Sequence, residues 1–189
     1  MNDIIDIKPL ASLDPANLLR LITGYVSDAE YRVSKTEAEG QFALALTLVS
    51  LPQPYVKRYD PPDAETLEYY LQVPRHAFSL GAYDAAGQCV GIALAEPRAW
   101  NRSLWVWEFH VAETQRGRGT GQRLMEALTM KARDARLRII VCETQNTNVP
   151  AIRFYHKAGF RIEALDLSYY SNEDFPEGEI AVFMKKRVV

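Results

Sequence analysis

Cysteine is scarce: 189 residues hold two, Cys89 and Cys142. Two thiols are too few for a disulfide framework, so an apolar core must carry the fold, and a reducing cytoplasm is the expected setting. No apolar run reaches the roughly 18–20 residues that span a bilayer, and Met1–Lys8 lacks the basic start and apolar stretch of a signal peptide. Excess charge is missing too. The 22 Lys and Arg stand against 24 Asp and Glu, a formal net charge of −2, which argues against a general nucleic-acid binder. There is no H-E-x-x-H and no clustered Cys and His, so no metal is expected. No G-x-S-x-G occurs, against a serine hydrolase. Internal repeats and low-complexity tracts are absent.

What is present suits one domain: 48% of the residues are apolar, enough for a core. Charge is segregated along the chain. Residues 115–138 carry Arg116, Arg118, Arg123, Lys131, Arg133, Arg136 and Arg138 against Glu126 and Asp134. Residues 162–184 carry Glu163, Asp166, Glu173, Asp174, Glu177 and Glu179, with no base. Two solvated faces account for such runs, and so would one anionic and one cationic ligand.

Residues 3–9 read as a strand closed by Pro9, and residues 14–23 as a helix with Asp14 as N-cap and Pro15 in its first position. Residues 41–49 alternate as a strand does. The prolines between Pro52 and Pro62 predict an irregular, polyproline-like stretch. Residues 1–75 form a variable part. Patterning sharpens from residue 76. Ala77–Tyr83 and Gln88–Glu96 are strands joined by a turn over Asp84–Gly87, and Leu104–Val111 is a third. Thr120–Ala135 is an amphipathic helix. Ile139–Cys142 is a short apolar run, as in a strand buried on both faces. Asn148–Lys157 is a helix ended by Gly159. Phe160–Leu167 and Glu179–Arg187 close as strands. The order ββ-β-α-β-α-β-β is an α/β domain with a mixed sheet.

Two segments point to chemistry. In Gln115-Arg116-Gly117-Arg118-Gly119-Thr120-Gly121, glycines at alternate positions join a strand to a helix. Such a turn exposes backbone N–H groups at a helix N-terminus, a site for phosphate or pyrophosphate; a ligand-free glycine turn is the alternative. The spacing matches neither the P-loop nor G-x-G-x-x-G. In the second segment, Asn148 caps a helix and Tyr155 lies two turns on, on the same face.

Together, Gln115–Gly121 and Asn148-x-x-Ala151-x-x-Phe154-Tyr155-x-x-x-Gly159-Phe160 resemble the GNAT superfamily of N-acetyltransferases over residues 76–187. The resemblance implies a mixed, mostly antiparallel sheet splayed at a cofactor cleft and flanked by helices. It implies acetyl-CoA as cosubstrate, its pyrophosphate on Arg116, Gly117, Arg118, Gly119, Thr120 and Gly121. Backbone groups over Phe109, His110 and Val111 would bond the pantetheine arm and acetyl carbonyl. Asn148 would contact CoA, and Tyr155 would protonate the departing thiolate. Trp100–Arg102, Glu143–Asn148, Ala164–Tyr170 and Gly178–Met184 are similar to streptothricin (nourseothricin) acetyltransferases within that superfamily. Those enzymes typically carry two adjacent acids before the CoA turn, where this chain has Trp107-Glu108.

Glu108, on the strand before the turn, is the candidate to take the proton of the attacking amine or to bind its ammonium. His110 lies on the same strand face and is expected to be a partly exposed surface histidine, with a proton relay as the other reading. Cys142 reads as a core residue. Asp166, Tyr169 and Tyr170, with Glu108, are candidates to bind a cationic acceptor, and Trp100, Trp105 and Trp107 could wall it. The expectation is one acetyltransferase domain over 1–189 acting on a small cationic amine, with the streptothricin type as the acceptor the resemblance implies. Neither nucleic acid nor membrane is expected as a partner, and a homodimer is left open. A protein N-terminus, a lysine or a polyamine as acceptor, and a non-catalytic acetyl-CoA sensor, are the alternatives.

Overall fold

A computed structural model describes residues 5–188. Its contacts divide the chain into two compact units. The first comprises the chain up to Thr23, Tyr59–Cys142 and the end from Lys186; the second comprises Gly24–Arg58 and Glu143–Lys185. Among the described residues no helix is long and apolar enough to cross a membrane.

In the first unit the strands are β1 (Asp6–Pro9), β4 (Leu80–Tyr83), β5 (Cys89–Arg98), β6 (Ser103–Val111) and the start of β7 (Ile139–Gln145), hydrogen-bonded in the order β1-β4-β5-β6-β7. All pairs are antiparallel except β6–β7. The β4–β5 turn works as its residues predict: the Asp84 carboxylate accepts from the N–H groups of Ala86 (3.0 Å) and Gln88 (2.9 Å), and Gly87 takes φ +79°. Helix α1 (Pro15–Leu21) starts as expected, its Asp14 cap accepting from Ala16 N–H at 3.0 Å. It buries Leu18 and Leu21 against Ile92, Leu94 and Val73, with Leu67, Tyr70 and Leu71 of α2 (Ala64–Gln72) packed on the same cluster. Helix α3 (Thr120–Asp134) buries Leu124, Met125, Leu128 and Ala132, the predicted stripe.

In the second unit β7 continues beside β9 (Ala181–Arg187) and β8 (Arg161–Asp166), and helix α4 (Val149–Lys157) follows β7. The unit also contains a separate two-stranded sheet, β2 (Tyr25–Ala38) with β3 (Gln41–Lys57). Here the structure corrects the expectation of an irregular stretch from Pro52, because β3 runs through Pro52 and Pro54. The register jumps from Ala29↔Ser50 to Ser27↔Tyr55, so residues 51–54 stand opposite Asp28 alone. Both prolines sit in that bulge, where no ladder N–H is required. The strand β2 and the helix α2 carry no clear period and were not anticipated. Elsewhere the expected elements are present within a few residues of their ends.

Candidate active site

In the first unit the site begins at a fault in β6. The ladder with β5 runs Leu94↔Glu108 and then Ala95↔Val106, so Trp107 is an extra, bulged residue. A bulge breaks side-chain alternation. Leu94 and Ile92, the partners of Glu108 and His110, belong to the apolar cluster that also takes in Trp107. Trp107, Glu108 and His110 therefore share one face of the sheet. The Glu108 carboxylate is bonded to His110 Nε2, both side chains being largely buried. The Tyr59 ring meets the imidazole edge-on at 6.4 Å.

The backbone of β6 is disposed for a second task. Ala112 N–H donates to the Val90 carbonyl at 2.9 Å. Alternation along an antiparallel ladder then turns the N–H and C=O of Phe109 and Val111 to the edge away from β5. Pairing of β6 with β7 covers Ser103–Val106.

The turn that follows fits a pyrophosphate. Gly117 and Gly119 take φ +74° and +88°, and a Cβ at either would meet nothing within 4 Å, so the approach to their backbone is open. Gly119 is the N-cap of α3 and no side chain caps the helix, whose first turn carries no acid. Its N-terminal N–H groups and dipole are thus turned to an anion. Arg118 is exposed. The Arg116 guanidinium is engaged within the protein, donating to the Val111 carbonyl (3.1 Å) and Thr23 Oγ1 (3.0 Å). It braces the turn against β6, a role that charge alone did not suggest.

In the second unit Asn148 caps α4, its Oδ1 accepting from Ala151 N–H at 3.2 Å. Tyr155 is buried, its ring 5.4 Å from Phe154 and from Phe160. Asp166 ends β8 and accepts from Ser168 N–H at 3.1 Å. Tyr169 packs edge-on against Tyr170 (5.2 Å) and Phe183 (5.4 Å). The Tyr170 hydroxyl donates to Glu143. Burial, then the Glu143 charge, push the Tyr170 phenol well above its ordinary pKa. Tyr169 and Tyr170 remain partly exposed.

Two carboxylate clusters were missed. In the first unit Glu96 accepts from Tyr69 Oη and, at 3.0 Å, from Trp107 Nε1, with His76 and Arg98 beside it. Burial works to raise its pKa, but those two hydrogen bonds and then the Arg98 charge hold it below the usual value. Burial, then the bond to Glu96, push Tyr69 up to about 12. In the second unit Glu179 accepts from Lys57 Nζ (2.7 Å), Thr147 Oγ1 (2.9 Å), and Tyr25 and Tyr55 Oη (3.2 Å each). The sequence marks Glu179 only as part of an acidic run; its partners are distant in the chain. Trp100 lies 86% exposed, and Cys142 is a core residue as expected.

Residues 45–160 match the acetyltransferase (GNAT) family. The chain belongs to that family. Streptothricin acetyltransferase A of Bacillus subtilis (strain 168) is 31% identical over 132 residues, which cover 69% of this chain and 72% of that protein. The crystal structure of nourseothricin acetyltransferase superposes with a TM-score of 0.75 at 27% identity, covering 98% of this chain and 99% of that one. A Bacillus anthracis acetyltransferase solved in complex with acetyl coenzyme A superposes at 0.72 and 22% identity, covering 97% and 99%; at that identity the likeness speaks for the fold. As a GNAT enzyme the chain uses acetyl-CoA to acetylate an amine nitrogen, and the resemblance carried by Gln115–Gly121 and Asn148–Phe160 is borne out at the level of the family.

Proposed function

We propose that the chain, as one catalytic domain in the cytoplasm, acetylates a primary amine of a small cationic acceptor of the streptothricin type. The observation that carries this reading is the 31% identity to a streptothricin acetyltransferase over 132 residues. Acetyl-CoA, when bound, supplies an acetyl group activated as a thioester. The N–H groups of Gly117–Gly121 and the α3 dipole hold the pyrophosphate, Arg118 adds charge, and Arg116 keeps the turn in shape. The N–H groups of Phe109 and Val111, on either side of His110, orient the acetyl carbonyl and stabilise charge developing on its oxygen. Asn148 contacts the CoA arm, and Tyr155 gives its proton to the leaving sulfur.

An alkyl ammonium has a pKa near ~10.4 and must lose a proton before it attacks. The Glu108 carboxylate, held by His110, receives that proton. Asp166, with the rings of Tyr169 and Tyr170, binds the remaining cationic part of the acceptor. The test is kcat/KM for streptothricin, lysine, spermidine, an aminoglycoside and N-terminal peptides. Streptothricin leads by orders of magnitude, and Asp166→Asn lowers its rate more than it lowers acetyl-CoA binding. A preference for peptides transfers the proposal to a protein acceptor.

A further inference from the structure

The hairpin β2–β3 has a property that neither the fold of the enzyme nor its chemistry requires. No residue of β3, Gln41–Lys57, is buried. Yet residues 41–56 contain no Lys, Arg, His, Asp or Glu, and they include Phe42, Leu44, Leu46, Leu48, Val49 and Leu51. Phe42 is 59% exposed and Leu48 45%. The register with β2 pairs Leu46 with Val33 and Leu48 with Tyr31, so Phe42, Leu44, Leu46 and Leu48 form one apolar row and Ala43, Ala45, Thr47 and Val49 lie on the other face.

The two edges of the hairpin differ. The β2 edge is tied within the second unit: Tyr31 N–H donates to the Asn146 carbonyl, and Asn146 Nδ2 to the Tyr31 carbonyl, both at 2.9 Å. Among the described residues β3 pairs with β2 alone. Its outer edge carries the backbone donors and acceptors of a long strand. Natural edges of that length are guarded by inward charges, lysines or prolines. Here the prolines stand only at one end, in the bulge, and the stretch Gln41–Leu51 has no guard.

We propose that this edge is the interface between two copies of the chain, β3 pairing antiparallel with β3 of a second copy about a two-fold axis. A strand edge is self-complementary in that arrangement, because residue i meets j and j meets i. The absence of charge over residues 41–56 decides the partner. Self-apposition sets the segment against itself, and because it carries no charge no like-charge pair can arise across the axis. A charged partner would find no opposite charge on the strand. The extent also suffices. Residues 41–51 span about 36 Å at the usual strand rise, and the two β3 strands set their apolar residues against one another across the axis, while Glu30, Arg32, Lys35 and Glu37 stay on the outer β2 strands. A two-stranded ribbon alone is marginal, whereas four strands with an apolar face are stable.

The experiment is the mass in solution by light scattering over a range of protein concentrations. The wild-type enzyme has twice the 21.4 kDa of one chain. The double variant Thr47→Lys/Leu48→Lys, at two exposed positions, halves it while circular dichroism and acetyl-CoA binding are kept. Single cysteines at Ala43, Ala45, Thr47 and Val49, oxidised one at a time, guard against a misfolded lysine variant. One of them near the axis links to itself, while Cys89 and Cys142 are buried and stay reduced. A wild-type mass of one chain at all concentrations overturns the proposal. So does a doubled mass that survives the lysines with no self-linked cysteine, or growth beyond two copies, which an isologous edge forbids.

Discussion

Glu179 and Tyr155 illustrate how single side chains are set by partners remote in sequence. Glu179 is partly buried, which by itself would raise its pKa. The hydrogen bonds from Lys57 and Thr147, then the Lys57 charge and the Tyr25 hydroxyl, reverse that and hold the carboxyl below its ordinary value. A carboxyl depressed in the fold contributes stability above its unfolded pKa and loses it as pH falls through the folded one. Glu179→Gln should therefore lower stability at neutral pH by about 1.5–3 kcal/mol, the range for hydrogen bonds to a charged group. It should also flatten the fall of Tm on acidification below about 4.3, as thermal melts over a pH series would read. Tyr155 is proposed as the proton donor to sulfur. Tyr155→Phe removes only the hydroxyl, so kcat should fall roughly 10-fold or more while KM for acetyl-CoA moves less. A wild-type kcat would mean that a water or another group supplies the proton.

At the scale of elements, the turn into α3 and the bulge in β6 do the positioning. Gly119→Asp is informative because two local effects oppose each other. An aspartate at φ +88° is strained by about 1 kcal/mol, but at the N-terminus of α3 its charge favours the helix dipole by about 0.3–1 kcal/mol. Folding should survive nearly unchanged. The same charge repels a pyrophosphate, so acetyl-CoA affinity should fall by at least an order of magnitude in calorimetry; an unchanged affinity would move the pyrophosphate elsewhere. The bulge at Trp107 acts differently. It brings Trp107 and Glu108 to one face, where Glu96 from the next strand bonds the indole. A carboxylate thus stands beside position 107 although the chain carries tryptophan there.

For the whole molecule, ligand binding and stability are linked. Acetyl-CoA at 100 times its Kd adds about 2.7 kcal/mol to the folded state. In a protein of this size that corresponds to a rise in Tm of roughly 5–10 °C. Scanning fluorimetry should show such a rise with acetyl-CoA for the wild type, and Gly119→Asp should lose most of it at the same concentration. A wild type that melts at the same temperature with and without ligand would contradict the assignment of Gly117–Gly121.

The segments legible in the sequence are those whose signals are local. Gly117 and Gly119 mark a turn because only glycine takes their backbone angles easily. Asn148 and Pro150 mark a helix start, and the stripe Leu124–Leu128–Ala132 marks a buried face. These are properties of neighbours three or four residues apart, and with them the family follows from residues 115–160 alone. Tertiary structure decided the rest. Pro52 and Pro54 read as strand breakers until a bulge opposite Asp28 relieves them of ladder bonds. Arg116 reads as a phosphate ligand from its charge, and folding adds bonds from its guanidinium to Val111 and Thr23. Glu108 and His110 share a face by plain alternation, but the bulge one residue earlier decides that Trp107 joins them on it. Glu96 and Glu179 acquire meaning from Tyr69, Trp107, Lys57 and Tyr25, which no spacing along the chain connects. In each case the deciding contact is made by chain segments that only folding brings together.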